Sequence, residues 1–291
     1  MYEQLIPAVV DTFSLPGEPE HDFLLRLRAA DICLRRNYAT SAAVSSEPYA
    51  EPILRAAYLL RYLGHYTLQL GDLLKELEGS AAAHVLALPE LRLAALCGGP
   101  CPEAIALAAL HSQAGGRRLQ VDALDRHAEA WSDCWPITSA IIRHYPGHPE
   151  VRIEGVGTDL LKPSLTPQEH RRLQMAQVFT SMNCLNELVG VDADSLQRGL
   201  AMRLDALSPG TLVLASDLAG YSDCAQGLQM LLDLLTARQA TVLLAELDPS
   251  RPHEMENRFE IPERIAWIYS GEYENRFRIF VRQLRLAAVL N

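Results

Sequence analysis

The sequence lacks any long hydrophobic run, and no apolar stretch approaches the roughly 20 residues that a helix needs to span a bilayer. Its first segment, MYEQLIPAVVDTF, lacks the basic start and the small-residue cleavage site of a secretory signal. Positive charge is also scarce, because 26 lysines and arginines face 36 acidic residues and the net charge is −10. We therefore expect a cytoplasmic protein that binds neither a membrane nor nucleic acid, since both attract basic surfaces.

Metal-binding and disulfide motifs are missing as well. The nine histidines form no HExxH pattern, and His144 and His148 lie in or beside the turn YPGHPE. No two cysteines form a CxxC pair; the six are Cys33, Cys97, Cys101, Cys134, Cys184 and Cys224. We therefore predict no metal site, and thiols that are reduced and mostly buried.

The length of the chain permits a large core. With 291 residues, 49% of them hydrophobic, it can form one α/β domain with an attached cap. Residues 1–85 show helical patterns with a polar break at 39–52, whereas short apolar runs alternate with amphipathic helices from about residue 90. We predict a helical cap on the substrate side over residues 1–85 and an α/β domain over residues 86–291.

The most regular part of the cap is the segment 51–74, whose periodicity predicts a helix. Its apolar stripe consists of Ile53, Ala57, Leu60 and Leu63. Three tyrosines recur every four residues on a neighbouring stripe, at Tyr58, Tyr62 and Tyr66. Such an aromatic stripe is typical either of packing between cap and sheet or of a binding surface.

Seven apolar runs in the second part predict strands: LRLAALCGG, RRLQVDALD, VRIEGVGTDL, AQVFTSMN, TLVLASDL, ATVLLAEL and RFRIFVRQLRLAAVL. Helical patterns separate most of them. They include a capping box at residues 166–169 and a stripe of leucines at 196, 200, 204 and 207. Two tryptophans after the second predicted strand, Trp131 and Trp135, are expected to pack a helix against the sheet. The alternation predicts a mainly parallel sheet covered by helices on both faces.

One segment, LRLAALCGGPCPEAIALAAL at residues 91–110, predicts a buried strand, a glycine turn and a helix that begins near Pro102. Glycines let the backbone approach a ligand closely, and the amides of a helix N-terminus favour a carboxylate or phosphate. Residues 98–101, GGPC, cannot be aligned with the dinucleotide fingerprint GxGxxG without losing a glycine, which argues against NAD. The pattern favours another nucleotide-type ligand.

Two further strands end in side chains that suit the same ligand. Asp125 ends the second predicted strand, where a carboxylate can accept hydrogen bonds from both hydroxyls of a ribose. The third ends in Gly157-Thr158-Asp159-Leu160, where a carboxylate can meet the exocyclic amine of adenine and an apolar neighbour can pack on its ring. Ligands of open α/β sheets lie at the carboxyl ends of strands, so these groups are expected to converge.

On these motifs, the chain from residue 91 onward resembles the class I S-adenosylmethionine-dependent methyltransferases that act on small molecules. The resemblance covers about two thirds of the sequence and implies a Rossmann-like α/β fold, whose seven-stranded, mainly parallel sheet has an antiparallel last strand. It also implies S-adenosylmethionine as the cofactor. The implied cofactor residues are Cys97, Gly98 and Gly99 at the methionine part, Asp125 at the ribose, and Thr158, Asp159 and Leu160 at the adenine.

The end of the fourth predicted strand, VFTSMNCLNE, resembles the motif of that family that faces the sulfonium and the substrate. Asn183 is the candidate there, for cofactor contact and for catalysis. One position departs from the family, because Cys101 stands where another glycine is usual, which leaves cofactor binding tighter, altered or lost. The following Pro102 suggests that Cys101 is the N-cap of the helix and needs no positive φ.

The cap supplies the remaining candidates. The ring faces of Tyr58, Tyr62 and Tyr66 suit a sulfonium cation and make them candidate catalytic residues, with packing between cap and sheet as their alternative role. Substrate contacts are expected from a tyrosine in the preceding loop, an arginine that can hold a carboxylate, and a histidine that can act as a base near neutral pH. These residues are Tyr38, Arg61 and His65.

Three functions fit these expectations. The first is methyl transfer to a small, neutral or cationic metabolite of secondary metabolism, for which positioning supplies much of the rate. The second directs the cofactor's own α-amine onto its γ-carbon, which releases methylthioadenosine and forms azetidine-2-carboxylate. The third is a non-catalytic cofactor-binding protein, suggested by Cys101. The acceptor stays open, as does the choice between a monomer and a homodimer.

Overall fold

The computed structural model describes residues 1–39, 48–220, 222–255, 262–269 and 281–291. Within these ranges, five helices precede the first strand: α1 (Tyr2–Phe13), α2 (Glu20–Ala39), α3 (Pro52–Tyr58), α4 (Gly64–Glu76) and α5 (Ala82–Leu86). A 3₁₀ turn at Pro48–Ala50 leads into α3, and a π-helical turn at Leu59–Leu63 joins α3 to α4. The N-terminal helical cap is thus confirmed as a structural feature, while its boundary as a domain at residue 85 stays a prediction.

The rest of the described chain alternates strands and helices. They are β1 (Glu90–Leu96), α6 (Pro102–Gln113), β2 (Arg118–Asp125), α7 (Trp135–Arg143), β3 (Glu150–Gly157), α8 (Pro167–Met175), β4 (Val178–Met182), α9 (Leu185–Ala206), β5 (Leu212–Leu218), α10 (Ser222–Ala237), β6 (Thr241–Glu246), β7 (His253–Met255), α11 (Glu263–Ala266) and β8 (Val281–Val289). Each of the seven predicted runs contains a strand within the described residues, whereas positions 276–280 of the last run lie outside them. The additional strand, β7, has three residues and pairs with β8.

The strands form one sheet in the order β3-β2-β1-β4-β5-β8-β6. Neighbouring strands from β3 to β5 are parallel, whereas β8 runs antiparallel to both β5 and β6. The order reverses direction beside β1 and β4, which are neighbours in the sheet but not in the sequence. Such a switch point opens a crevice at the carboxyl ends of the strands, where ligands of open α/β sheets bind.

Side chains alternate between two hydrophobic layers along each central strand. In β1, Leu91, Leu93 and Ala95 join the layer that contains the cap, α6 and α7. Ala94 and Leu96 join the opposite layer, with α8, α9 and α10. The cap helices therefore pack against the sheet as part of one of its two cores.

The predicted helix over residues 51–74 is present but interrupted. Ala57, Leu60 and Leu63 are buried as expected. The π-helical turn at Leu59–Leu63 was not predicted, and such turns occur frequently at functional sites. Arg61, in this turn, forms a buried ion pair with Asp31 of α2.

A polar network attaches α4 to the antiparallel edge of the sheet. The Oδ2 atom of Asp72 accepts hydrogen bonds from Arg285 Nη1 at 3.1 Å and from Gln283 Nε2 at 3.3 Å, and lies 2.7 Å from His253 Nε2. Arg285 is 1% exposed and also pairs with Glu246 at 2.6 Å. Asp72 and Glu246 therefore together balance the positive charge of the buried Arg285.

Two further features concern partners. In the described ranges, no helix combines the length and the hydrophobicity needed to cross a bilayer. The same ranges contain no group of three or more histidine, cysteine, aspartate or glutamate side chains suited to hold a metal ion.

Candidate functional site

A pocket lies where the cap meets the carboxyl ends of β1 to β4. Its empty volume, including the part open to solvent, is about 860 Å³. Eight of the residues predicted from the sequence line it. They are Tyr58, Cys97, Gly99, Asp125, Thr158, Asp159, Leu160 and Asn183.

The glycine turn after β1 forms one wall of the pocket. A Cβ atom on Gly98 would lie 2.9 Å from the carbonyl oxygen of Ala95, so this position has no room for a side chain. Gly99 has a φ of +46°. Cys101 is the N-cap of α6, as expected, but its φ of +58° contradicts the expectation that no positive φ is needed. The tight turn, in which Cys101 N–H donates to Gly98 O at 2.7 Å, imposes the left-handed conformation.

Strained backbone concentrates around this site. Among the described residues, four that are not glycine have a positive φ: Cys97, Cys101, Asn183 and Gln239. Cys97 and Asn183 line the pocket and Cys101 ends its glycine turn, whereas Gln239 precedes β6. A non-glycine residue in this region costs free energy, and such residues cluster at functional sites.

Asp125 connects the glycine turn to the loop after β2. Its Oδ2 atom accepts a hydrogen bond from Gly99 N–H at 3.1 Å, and its Oδ1 atom accepts one from His127 N–H at 2.7 Å. Burial raises the pKa of this carboxyl group, and the two amide hydrogen bonds act in the opposite direction. A carboxylate has about four lone-pair sites, so it retains capacity for two further donors on its pocket side.

The loop after β3 contributes Thr158, Asp159 and Leu160. The hydroxyl oxygen of Thr158 is buried and has no hydrogen-bond partner among the described residues. Asp159 holds its own loop, because Oδ1 accepts from Leu161 N–H at 3.2 Å and Oδ2 lies 3.5 Å from Lys162 Nζ. The loop therefore presents a free hydroxyl and a half-buried carboxylate beside an apolar side chain.

Two residues of α9 support this loop from behind. Gly199 lets the helix approach the loop so closely that a Cβ atom there would lie 1.8 Å from Leu160 O. Arg203 donates to Asp159 O at 3.1 Å and pairs with Glu169 at 2.9 Å. Neither support was predicted from the sequence, in which Gly199 and Arg203 occur in an ordinary amphipathic helix.

Asn183 links the sheet to the cap. Its Nδ2 group donates to Gln69 Oε1 at 2.6 Å, and Gln69 Nε2 donates back to Asn183 Oδ1 at 3.4 Å. Gln69 belongs to α4 and is fully buried. The pair fixes the side-chain orientation of Asn183 at the carboxyl end of β4.

Two thiols adjoin one another in this wall, Cys97 after β1 and Cys184 after β4. The hydrogen bond with Cys184, together with burial, raises the pKa of the Cys97 thiol well above its usual range. Cys97 is therefore a neutral thiol at physiological pH, and a neutral thiol is a poor nucleophile.

Aromatic rings of the cap cover the opposite side. Tyr58 lies with its ring centroid 5.2 Å from that of Trp131 and 5.0 Å from that of Tyr62, and Tyr62 stacks on Tyr66 at 5.6 Å. Burial raises the pKa of the Tyr58 and Tyr66 hydroxyls well above the usual value, so both are neutral phenols. These tyrosines offer ring faces and hydroxyl groups rather than phenolate bases.

Tyr49, which sequence reasoning missed, also lines the pocket, with its ring 4.9 Å from Trp131. Its backbone oxygen accepts a hydrogen bond from Arg55 Nη1 at 2.6 Å, and Arg55 is buried and paired with Asp133. Trp131, expected to pack against the sheet, contacts both the glycine turn and the cap. These two residues join the cap to the loop after β2.

Several predicted residues lie away from the pocket lining. Gly98 shapes the turn from beneath, and Tyr62 and Tyr66 lie behind Tyr58. Arg61 pairs with Asp31, and burial lowers the pKa of His65 to about 4, so its ring does not titrate near neutral pH. Tyr38 belongs to α2 rather than to a loop, and its side chain lies outside the described residues.

Glu187 is the most informative residue that the sequence did not single out. It lines the pocket from the first turn of α9. Burial raises its pKa to about 8, and the negative charges of Asp217 and Asp125 contribute in the same direction. An acidic residue in a first helical turn is common on any protein surface, so the sequence offered no reason to select it.

Comparison with known proteins gives a likeness in structure only. No protein-family model and no curated protein matches the chain. An O-methyltransferase family protein from Burkholderia thailandensis is 12% identical over 92% of this chain and 72% of that chain, with a TM-score of 0.50. The N-methyltransferase NodS from Bradyrhizobium japonicum WM9, solved with S-adenosyl-L-homocysteine, is 13% identical over 77% and 86% of the two chains, with a TM-score of 0.41. The [4+2]-cyclase SpnF is 16% identical over 76% and 80%, with a TM-score of 0.40.

The strand order, together with the first of these likenesses, assigns the chain to the Rossmann-like fold of class I methyltransferases. This confirms the fold that the sequence resemblance implied. Proteins that share a fold can differ in activity, so the chemistry is argued from the residues of the pocket.

Proposed function

We propose that this protein binds S-adenosylmethionine in the pocket at the carboxyl ends of β1 to β4 and transfers its methyl group to a small molecule. The convergence of the glycine turn, Asp125 and Asp159 on one cavity carries this proposal. These groups come from three strands that are far apart in the sequence and adjacent in the sheet.

The residues of the pocket fit the parts of the cofactor. The carboxylate of Asp125 suits the two ribose hydroxyls, because it has free lone pairs on its pocket side. The unpartnered Thr158 hydroxyl, Asp159 and Leu160 suit an adenine ring, which offers an amine, ring nitrogens and an apolar face. The turn at Cys97 and Gly99 suits the methionine part, because both residues line the pocket and Gly99 has no side chain to separate its backbone from a ligand.

The cofactor supplies an electrophilic methyl carbon on a sulfonium group when it is bound. This chain contributes aromatic faces that favour positive charge, and each such contact is typically worth about 0.5–2 kcal/mol. The hydrogen-bonded pair of Asn183 and Gln69 holds the side chain of Asn183 in one orientation where the pocket meets the cap. Methyl transfer depends mostly on alignment, and rigid supports of this kind provide it.

Calorimetric titration of the protein with S-adenosylmethionine tests binding, with Asp125→Ala as the variant. Loss of two charge-assisted hydrogen bonds should raise the dissociation constant at least tenfold, since each typically contributes about 1.5–3 kcal/mol. Asp205→Ala is the matched control, because Asp205 is an exposed carboxylate that pairs with Arg238 outside the pocket. Equal affinity of the two variants would contradict the proposed ribose contact.

Mass spectrometry of the reaction products separates the three candidate functions. Methyl transfer predicts S-adenosylhomocysteine that accumulates only when an acceptor is supplied. Methylthioadenosine formed with azetidine-2-carboxylate in the absence of an acceptor would replace methyl transfer by cyclisation. Tight binding without either product, across a broad set of acceptors, would favour the non-catalytic alternative.

A further inference from the structure

The acceptor side of the pocket contains a carboxyl group that no positive charge balances. Glu187 lines the cavity, and within the described residues it makes no hydrogen bond and no ion pair. The charges that act on it, from Asp217 at the end of β5 and Asp125 at the end of β2, are both negative. A partly buried carboxyl group that lines a pocket near two other acidic residues, without a cationic partner among the described residues, is a suitable contact for a positively charged ligand.

Two aromatic residues of the cap, Tyr49 and Tyr58, line the same pocket as Glu187. The charge of Glu187 also contributes to the raised pKa of Tyr58. Tyr58 in turn contacts Tyr49 at 5.7 Å and Trp131 at 5.2 Å between ring centroids. Ring faces and a carboxylate together form the surface that proteins present to ammonium groups.

We propose that Glu187 and the rings of Tyr49 and Tyr58 form an acceptor subsite for an amine, and that Glu187 takes the proton of the bound ammonium group. This inference rests on the proposed methyl transfer and names its substrate class. An ammonium ion fits this surface better than an alcohol, which brings no charge, or a carboxylic acid, which adds a third negative group to Asp125 and Asp217.

In this proposal the carboxyl group of Glu187 acts as the base that prepares the amine for methylation. An ammonium nitrogen has no lone pair and cannot accept a methyl group. Glu187 is mostly protonated at neutral pH because its pKa lies at about 8, and the positive charge of the bound ammonium ion favours its ionised form. Once the ionised Glu187 has taken one proton, the nitrogen lone pair forms the new N–C bond, and the electron pair of the broken C–S bond stays on sulfur. The product is a methylated ammonium ion, and Glu187 releases its proton to solvent, so charge and atoms balance.

Binding of three isosteric probes tests the charge preference of the subsite. Benzylamine, benzyl alcohol and benzoate are titrated into the protein saturated with S-adenosylhomocysteine, which cannot react. We expect benzylamine to bind at least tenfold more tightly than benzyl alcohol, and benzoate to bind most weakly. Equal affinity for benzylamine and benzyl alcohol would overturn the proposal.

Variants identify the residues responsible. Glu187→Gln should reduce the preference for benzylamine over benzyl alcohol to less than threefold, whereas Glu90→Gln, at an exposed residue of β1, should leave it unchanged. Tyr58→Leu should weaken benzylamine binding about threefold to tenfold, and Tyr58→Phe, which keeps the ring, should restore most of it. A preference that survives in Glu187→Gln would assign the selectivity to another group.

The affinity for S-adenosylmethionine distinguishes this inference from the function on which it rests. Glu187→Gln should bind the cofactor within threefold of the unmodified protein. A tenfold loss would mean that Glu187 holds the cofactor's own α-amine, and the acceptor subsite would be rejected. Absence of cofactor binding in the unmodified protein would reject the proposed function itself, whereas cofactor binding without amine selectivity would reject only the subsite.

Discussion

At the scale of single residues, the first turn of α6 contains a carboxyl group in a position that penalises its charge. Glu103 is 2% exposed, and its Oε2 atom has no hydrogen-bond partner in the part of the chain that the structure describes. Burial raises its pKa from 4.5 to about 8. Between these values the folded protein holds a proton that the unfolded chain releases, so this residue makes stability fall as pH rises across that window.

Glu103→Gln keeps a neutral side chain of the same size and should remove this pH dependence. We expect the variant to match the unmodified protein near pH 4.5 and to exceed its free energy of unfolding by on the order of 2–3 kcal/mol near pH 8.5. Urea unfolding at several pH values measures the difference. Glu150→Gln, at an exposed position, serves as the control, and identical pH profiles for Glu103→Gln and the unmodified protein would contradict the expectation.

Residue chemistry could be predicted from the sequence only where a local motif specifies it. Asp125 and Asp159 follow apolar strands, so their place at the edge of the sheet was predictable, and both line the pocket. The left-handed backbone of Cys101 is imposed by the tight turn that its N–H closes with Gly98 O, whereas the raised pKa of Glu187 depends on contacts with distant parts of the chain. A sequence pattern contains no information on such contacts.

At the scale of elements, short apolar runs between helical patterns were sufficient to predict every long strand, because parallel strands that are buried on both faces have nearly continuous hydrophobic sequences. Helix ends were predictable in part. The Oγ1 atom of Thr166 caps α8 by accepting from Glu169 N–H at 3.1 Å, as the capping box predicts. The carboxylate of Glu169, however, pairs with Arg203 of α9, because a buried guanidinium is a stronger partner than a helix amide.

The contact between α9 and the loop after β3 leads to a prediction about Gly199. In Gly199→Ala the new Cβ atom would lie 1.8 Å from Leu160 O, a backbone atom that cannot rotate away. We expect a loss of about 1–3 kcal/mol in the free energy of unfolding, as in other overpacked sites, and weaker cofactor binding because the loop is displaced. Thermal unfolding and calorimetric titration measure the two effects.

Gly190→Ala is the matched control in α9, on the other side of a kink at Asp192, whose backbone is not helical. The nearest atom to its new Cβ atom is Asp223 Oδ2 at 3.5 Å, an ordinary contact. Alanine favours helix over glycine by about 1 kcal/mol, so this variant should be neutral or more stable. If both variants were equally stable, the close approach of α9 to the loop would not limit the fold.

At the scale of the whole molecule, local sequence patterns could not predict the order of the strands or the contacts between the cap and the sheet. The antiparallel last strand followed only from the family resemblance, because a strand looks the same in either direction. The cap looked like a separate unit in the sequence, yet its buried residues share a core with β1 and β2. Its polar attachment through Asp72 joins residues more than 200 positions apart, such as Arg285.

This attachment predicts how the molecule opens. In Asp72→Ala, Arg285 loses one of its two anionic partners, and His253 and Gln283 lose the same acceptor. Breaking a buried charge network is costly, so we expect a loss of about 2–4 kcal/mol in the free energy of unfolding. Hydrogen exchange should accelerate in α4 while β1 and β4 stay protected, because the cap loses its polar contact with the sheet edge.

Glu90→Ala, which removes an exposed partner of Arg118, should change stability by less than about 1 kcal/mol. Unchanged exchange in α4 of the Asp72 variant would mean that the shared hydrophobic core alone holds the cap in place.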